Sequence, residues 1–283
     1  ITLVQENPIA KYFLKRDTAS IYENIEDFIK IKNGDFLNFS NDILILNDEN
    51  NVEQIRKTTG VLALKIDAPF LEDQKYRFGF TINKDKACKF KSWSDVVKEK
   101  PFVPINSAII TDNFLWSKKG DFHDDNLENL YRIITDLVPE DLLVPFNLLI
   151  NIDFRNTGLT KKQGTEKINK VKKNLEKLTG KEFLVGISSH TNPSLFHSRV
   201  ILTNHHFFIS DKGFTVFKNS RANITTFGNR NWNYLDIENY VGEIDKHHHQ
   251  NHIRNLNKSI HDNERMDTEA VYNIGDYKNR LLN

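Results

Sequence analysis

From Ile105 onward the chain alternates short apolar runs with amphipathic stripes of helical period, and this alternation restricts the folds open to it. Ile105 to Thr111 is an apolar run with Asp112 at its carboxyl end. Asp124 and Asp125 supply helix-capping side chains before Leu127, Leu130, Tyr131, Ile134 and Leu137, which recur at helical spacing until Pro139. Leu148-Leu149-Ile150 with Ile152 reads as the next strand. Thr160 opens a long basic helix whose apolar face is Ile168, Val171, Leu175 and Leu178, and Gly180 stops it. Phe183 to Ile187 is a third strand, followed by a polar loop. Strands alternating with helices predict an α/β fold in which helices cover a largely parallel sheet. The helices are expected over about 125–138 and 161–179.

The polar loop leads into Phe196-His197-Ser198-Arg199-Val200-Ile201-Leu202-Thr203-Asn204, and a second apolar run, His206 to Ser210, ends near Gly213. The two runs predict a hairpin of 195–203 with 206–210. On an extended strand, alternate residues share a face, so His197 and Arg199 point the same way. An imidazole beside a guanidinium makes a small positive site suited to a phosphate group. Asp112, at the end of its own strand, is placed to approach the same rim, because α/β folds bind ligands at the carboxyl edge of the sheet. Beyond the hairpin, Lys218, Arg221, Phe227, Arg230 and Trp232 form a basic-aromatic stretch that either lines the same cleft or packs as a loop.

The spacing resembles the phospholipase D superfamily signature, His-x-Lys-x4-Asp. His197 matches the nucleophilic histidine, Arg199 stands in place of the phosphate-binding lysine, and Asn204 in place of the aspartate. A closer resemblance is to the phospholipase D-like domain at the C-terminus of microtubule-interacting and trafficking proteins, and to its bacterial relatives. His197-Ser198-Arg199, Phe207-Phe208-Ile209, Gly213 and Val216-Phe217 follow the order of that domain, with Ser198 where it often carries Asp. The resemblance covers about 105–218 and implies a mixed sheet flanked by helices.

Catalysis in the superfamily needs two motif copies, one histidine attacking phosphorus and a second protonating the leaving oxygen. Only one copy is present here. Arginine holds phosphate as well as lysine does, but the amide of Asn204 cannot stabilise an imidazolium as a carboxylate does. The resemblance therefore favours a non-catalytic interaction module, in which Arg199, Asn204, Ser198, Asp112, Lys218 and Arg221 contact a phosphate-bearing ligand or a protein partner. The alternative is a dimeric phosphodiesterase, a nuclease, in which His197 from each of two chains faces one phosphate.

Composition sets further bounds. The 283 residues suffice for one large core or two smaller ones. A net charge of +1 gives no global drive toward nucleic acid, so any basic surface has to be local. The single cysteine, Cys88, excludes an internal disulfide and suits a reducing, cytoplasmic setting. No apolar run approaches the ~20 residues of a membrane helix. No amphipathic anchor rich in exposed aromatics stands out, which places nucleic acid ahead of lipid as the phosphate-bearing partner. The chain opens on Ile1 rather than Met, as expected of a piece of a longer protein, and the resemblance to bacterial relatives implies a bacterial one.

Local charge concentrates in Lys161-Lys162, Lys167, Lys170, Lys172-Lys173, Lys177 and Lys181. This cluster is either a docking face for a phosphate backbone or acidic lipid, or a solvated helix face with local pairs from Glu166 and Glu176. His247-His248-His249 with His252 put two imidazoles one helical turn apart. Their neighbours include no cysteine and no His-Glu-x-x-His pattern, so a polar helical tail to about Met266 is expected, without metal or cofactor. Residues 271–283 carry weak order signals and are expected to fray. Ahead of Pro101 and Pro104, a helical opening precedes strand-like runs at Ile43–Leu46, Val61–Leu64 and Tyr76–Phe80, with a short helix through Val52 and Ile55. The expected organisation is an N-terminal α+β region (1–100), a phospholipase D-like domain (101–235) and the helical tail (236–283).

Overall fold

The computed structural model describes residues 43–46, 53–54, 57–60, 62–65, 77–83, 86–99, 105–113, 115–116, 123–196, 199–203, 206–210, 216–220, 223–226, 230–236, 243–266, 268 and 271–282. The first strands are β1 (Ile43–Leu46), β2 (Leu62–Lys65), β3 (Arg77–Ile82), β4 (Ser107–Thr111), β5 (Phe146–Asp153) and β6 (Phe183–His190). They are followed by β7 (Arg199–Thr203), β8 (His206–Ser210), β9 (Phe217–Ser220), β10 (Asn223–Thr226), β11 (Arg230–Asp236) and β12 (Asn273–Gly275). The helices are α1 (Trp93–Glu99), α2 (His123–Leu137), α3 (Phe154–Thr157), α4 (Lys161–Thr179) and α5 (Glu243–Met266).

Eight strands form one mixed sheet in the order β12-β6-β5-β4-β7-β8-β11-β3. Only β4, β5 and β6 run parallel, and every other pairing in this sheet is antiparallel. The connections β4-α2-β5 and β5-α4-β6 explain the parallel trio, since a parallel neighbour requires a crossover. All residues of β4 and β5 are buried, as expected of central strands covered on both faces. One face carries Ala108, Ile110, Leu148, Ile150, Val185, Ile187, Ile201 and Phe208 against α1, α2 and α4. The other carries Ile109, Leu149, Val200, Leu202 and Phe207 against Leu256 and Ile260 of α5. Each of these two α5 side chains contributes about 1.5–3 kcal/mol by leaving water.

Helix α4 forms as its sequence dictates. Thr160 and Gln163 make a reciprocal capping box, and Gly180 closes the helix in the left-handed conformation at φ 69°. Its buried face is Gly164, Ile168, Val171 and Leu175. Leu178 does not join that face: it is 58% exposed. Helix α2 begins at His123, one residue ahead of the expected aspartates. Residues 77–99, ahead of the Pro101–Pro104 break, lie on the same core. There β3 pairs with β11, and Phe80 and Trp93 pack edge-to-face on Phe208 at 6.5 and 5.9 Å.

Besides the place of Leu178 and the expected largely parallel sheet, two further expectations fail. The hairpin of β7 with β8 forms, but its first strand starts at Arg199, not at 195. Residues Pro193–Phe196 make a 3-10 turn instead, in which the Asn192 carboxamide accepts from the Ser194 N–H and hydroxyl. Pro193 contributes no N–H to a strand ladder. The second failure is at the C-terminus, which is ordered and buried rather than frayed. β12 pairs with β6, and Tyr272, Ile274 and Leu281 are buried. Gly186 permits this, since a Cβ there would collide with the backbone of Asp276 and Tyr277.

The anchor of this segment is Asn279, fully buried at the amino ends of β4 and β5. Its Nδ2 donates to the carbonyls of Ala108 (3.2 Å) and Asn147 (3.0 Å). Its Oδ1 accepts from Ser107 Oγ (2.8 Å) and the Leu281 N–H (3.0 Å). Apolar side chains cannot supply these bonds, and a buried group left unpaired costs about 1–3 kcal/mol. Asn279→Ala is therefore expected to lower unfolding stability by about 2–4 kcal/mol in urea titration, whereas Ala at the exposed Lys278 is expected to change it by less than about 0.5 kcal/mol.

Candidate functional site

Because β4, β5 and β6 are parallel, their carboxyl ends meet at one edge of the sheet. β7 runs antiparallel to β4 with Thr111 opposite Val200, so Arg199 sits at that same edge, one step beyond β4. Arg199 is partly exposed and its Cα is registered with Ser210 of β8. Asp112 follows β4 directly, is 5% exposed, and is held by its N–H to the Asn151 carbonyl (3.2 Å). The strand geometry thus brings Arg199 and Asp112 to a common edge.

The polar side chains at this edge are mostly buried. Asn151 of β5 accepts at Oδ1 from Nδ1 of His190 (3.2 Å), the last residue of β6. Since a carboxamide oxygen only accepts, Nδ1 carries the proton and Nε2 is left as an acceptor. The His190 ring lies 4.3 Å from that of Phe196. Phe196 is held in turn by Asn113 Nδ2 on its carbonyl (3.2 Å) and by His252 of α5 edge-on at 5.7 Å. The far nitrogen of His252 contacts Thr111 Oγ1 at 3.0 Å. His190 Nε2, Asn151 Nδ2 and Asn113 Oδ1 are buried without a hydrogen-bond partner among the described residues.

Burial pushes the His190 pKa down to about 4, only partly offset by the nearby Asp153 carboxylate. The imidazole is neutral at pH 7 and acts as a hydrogen-bond acceptor rather than a phosphate-holding cation. Asp153 is engaged elsewhere, capping α3 through the Arg155 N–H (2.9 Å) and pairing with the exposed Arg155 guanidinium at 3.1 Å.

The other residues singled out from the sequence fall as follows. His197, Ser198, Asn204, Arg221 and Phe227 lie outside the described residues. Lys218 belongs to β9 and is registered with Thr225 of β10, its side chain outside the description; Arg230 and Trp232 belong to β11 on the same terms. The start of β9 is held on α2 by a bracket the sequence did not reveal. The buried Asn129 accepts from the N–H groups of Val216 (2.9 Å) and Phe217 (2.8 Å) and donates to the Phe217 carbonyl.

His247, His248 and His249 ride on α5 with undescribed side chains, while His252 faces the sheet, its Nε2 3.0 Å from Thr111 Oγ1. No group of three or more His, Cys, Asp or Glu is placed to share a metal ion among the described residues. No described helix is long and apolar enough to cross a membrane. His190, Asn151 and Asn113 escaped the sequence reading. Their one signal is the signal of Asp112, a polar residue at the carboxyl end of an apolar strand.

No protein-family model and no curated protein matches this sequence. Among solved structures, polyphosphate kinase from Porphyromonas gingivalis is similar at 8% identity and a TM-score of 0.30, over 86% of this chain and 35% of that one. This chain thus spans about a third of that protein's length, and a likeness of that size carries no argument about fold family or chemistry. The phospholipase D-like reading rests on the motif residues.

The depressed His190 pKa has a measurable consequence. The unfolded chain takes up this proton near 6.5 and the folded chain only near 4. The stability contribution is therefore complete above about pH 6.5 and is lost as pH falls toward 4. The loss is on the order of 3 kcal/mol. His190→Gln is expected to flatten urea-midpoint profiles between these pH values. An unchanged slope would assign the acid sensitivity to other groups.

Proposed function

We propose that this chain is a phospholipase D-like interaction module that recognises a phosphate-bearing ligand at the carboxyl edge of β4, β5 and β6, with Arg199 as its anion contact. The observation that carries this reading is the register of β7 on β4, with Val200 opposite Thr111, which sets the partly exposed residue Arg199 at the edge where open α/β sheets bind ligands. An arginine can grip phosphate with two parallel N–H bonds. The buried polar groups of Asn113, Asn151 and His190 at the same edge give it hydrogen-bonding capacity beyond the charge.

His197 and Ser198 directly precede Arg199 in the chain and complete the motif as the resemblance implies. Asn204, Asp112, Lys218 and Arg221 are the remaining ligand contacts we assign. The module is non-catalytic because one motif copy supplies one histidine, whereas phosphodiester hydrolysis by this route needs a nucleophile and an acid. A nucleic acid is the partner chemistry we favour, in a cytoplasmic, bacterial setting and as part of a larger protein or complex.

The test is binding of a single-stranded oligonucleotide and of inorganic phosphate, followed by calorimetry or NMR titration. Arg199→Ala is expected to weaken binding by about 1.5–3 kcal/mol, roughly ten- to a hundred-fold, the worth of a charge-assisted hydrogen bond. Undiminished affinity in that variant would remove Arg199 from the site. In parallel, hydrolysis of DNA, RNA and a phosphodiester lipid is expected from neither the wild type nor His197→Ala. Metal-independent cleavage that disappears in His197→Ala would make the protein a dimeric phosphodiesterase instead.

A further inference from the structure

Helix α4 carries seven lysines against two glutamates in a chain whose net charge is +1, so the remainder of the chain is net acidic and the positive charge is gathered on one element. The structure sorts these lysines. Lys172 pairs with Glu176 at 3.8 Å, and Lys167 lies over the Trp116 ring at 6.0 Å. Lys162, Lys170, Lys173 and Lys177 are exposed and make no ion pair among the described residues. Their spacings of eight, three and four residues place them along one side of the helix.

A helix face that is merely solvated alternates its charges, with glutamates one turn ahead of lysines. Here Lys170 and Lys173, and Lys173 and Lys177, are like-charged neighbours, an arrangement that destabilises a helix. Only Glu166 interrupts the stripe. A local self-repulsion kept in an otherwise acidic chain calls for an anionic partner.

We propose that the solvent face of α4 docks the phosphate backbone of double-stranded nucleic acid, independently of base sequence. At a rise of about 1.5 Å per residue, Lys162 to Lys177 covers about 22 Å of straight rod, matching a stretch of duplex that presents a phosphate every ~3.4 Å on each strand. The stripe holds no aromatic side chain on which an unstacked base could sit, which argues against single strands. A lipid surface is disfavoured because Ile168, Val171 and Leu175 are buried in the core and cannot enter a bilayer. These lysines lie on α4 and Arg199 on β7, so separate variants test the two proposals independently.

The experiment is fluorescence anisotropy of a short random-sequence DNA duplex against salt concentration. Four neutralised phosphates predict a slope of log Kobs on log[salt] of about −3 to −4. The variant Lys162→Gln, Lys170→Gln, Lys173→Gln, Lys177→Gln is expected to lose about tenfold or more in affinity at low salt and to flatten the slope toward zero. Its thermal unfolding is expected to be unchanged or improved, since like charges are relieved. Arg199→Ala is expected to alter the slope by no more than about one unit. Absence of duplex binding at low salt, or an unchanged slope in the quadruple variant, would overturn the proposal. So would binding to phosphatidylserine vesicles in preference to the duplex, or single-strand affinity that falls in the quadruple variant while duplex affinity does not.

Discussion

Two strands buried along their whole length, β4 and β5, impose the problem that the rest of the molecule solves. A strand inside a sheet can satisfy its ladder hydrogen bonds, but its ends and any polar side chains on it have no access to water. At the amino end of this pair, the solution is the carboxamide of Asn279, with the Arg280 N–H donating to Asn147 Oδ1 at 2.9 Å. At the carboxyl end, Asn151, His190, Asn113 and Thr111 engage one another, Phe196 and His252. Asparagine recurs in these roles because its side chain is a peptide group in miniature, offering donor and acceptor at once.

The same device explains why segments distant in sequence converge on the sheet. Asn263 of α5 donates to the Ser189 carbonyl (2.7 Å), and Ser189 exchanges bonds with Tyr272. Asn106 donates to the Thr59 carbonyl (2.8 Å), where Gly60 passes so close to Ile105 and Asn106 that a Cβ could not fit. Helix α5 and Leu281 therefore cover one face of the sheet, opposite α1, α2 and α4, while Tyr272 and Ile274 pack on the α4 side. Phe196, at the end of its turn, is clamped between His252 of α5 and the polar residues at the ends of the parallel strands.

Two cationic features stand apart in this architecture. Arg199 lies at a sheet edge among buried polar groups, where a single charge acts at short range. The α4 stripe is fully solvated, so its effect on a partner depends on how many charges act together and on the salt that screens them. One suits recognition of a particular group and the other suits retention on a polymer.

Sequence alone determined what depends on local period and local chemistry. The strand–helix alternation from Ile105 to Ile187 gave the α/β class, and Thr160 and Gly180 marked the ends of α4 because caps are made by the residues beside them. The two apolar runs on either side of 204–205 announced a hairpin, and β7 and β8 pair as those runs suggested, although the first strand begins at Arg199. The residues that build the buried polar carboxyl edge of the sheet were not legible in this way. His190, Asn151 and Asn113 look like ordinary polar residues at strand ends until β4, β5 and β6 are set side by side. His252 reads as one of a run of histidines until α5 turns it toward Thr111. Asn279 and Asn129 show no pattern at all, for their partners lie far off in the chain. Periodicity reports which face of an element is apolar, but the pairing of elements and the burial that shifts a histidine's pKa arise only when distant segments pack. That difference in range is why the fold class was written in the sequence and the neighbours of Arg199 were decided by the tertiary structure.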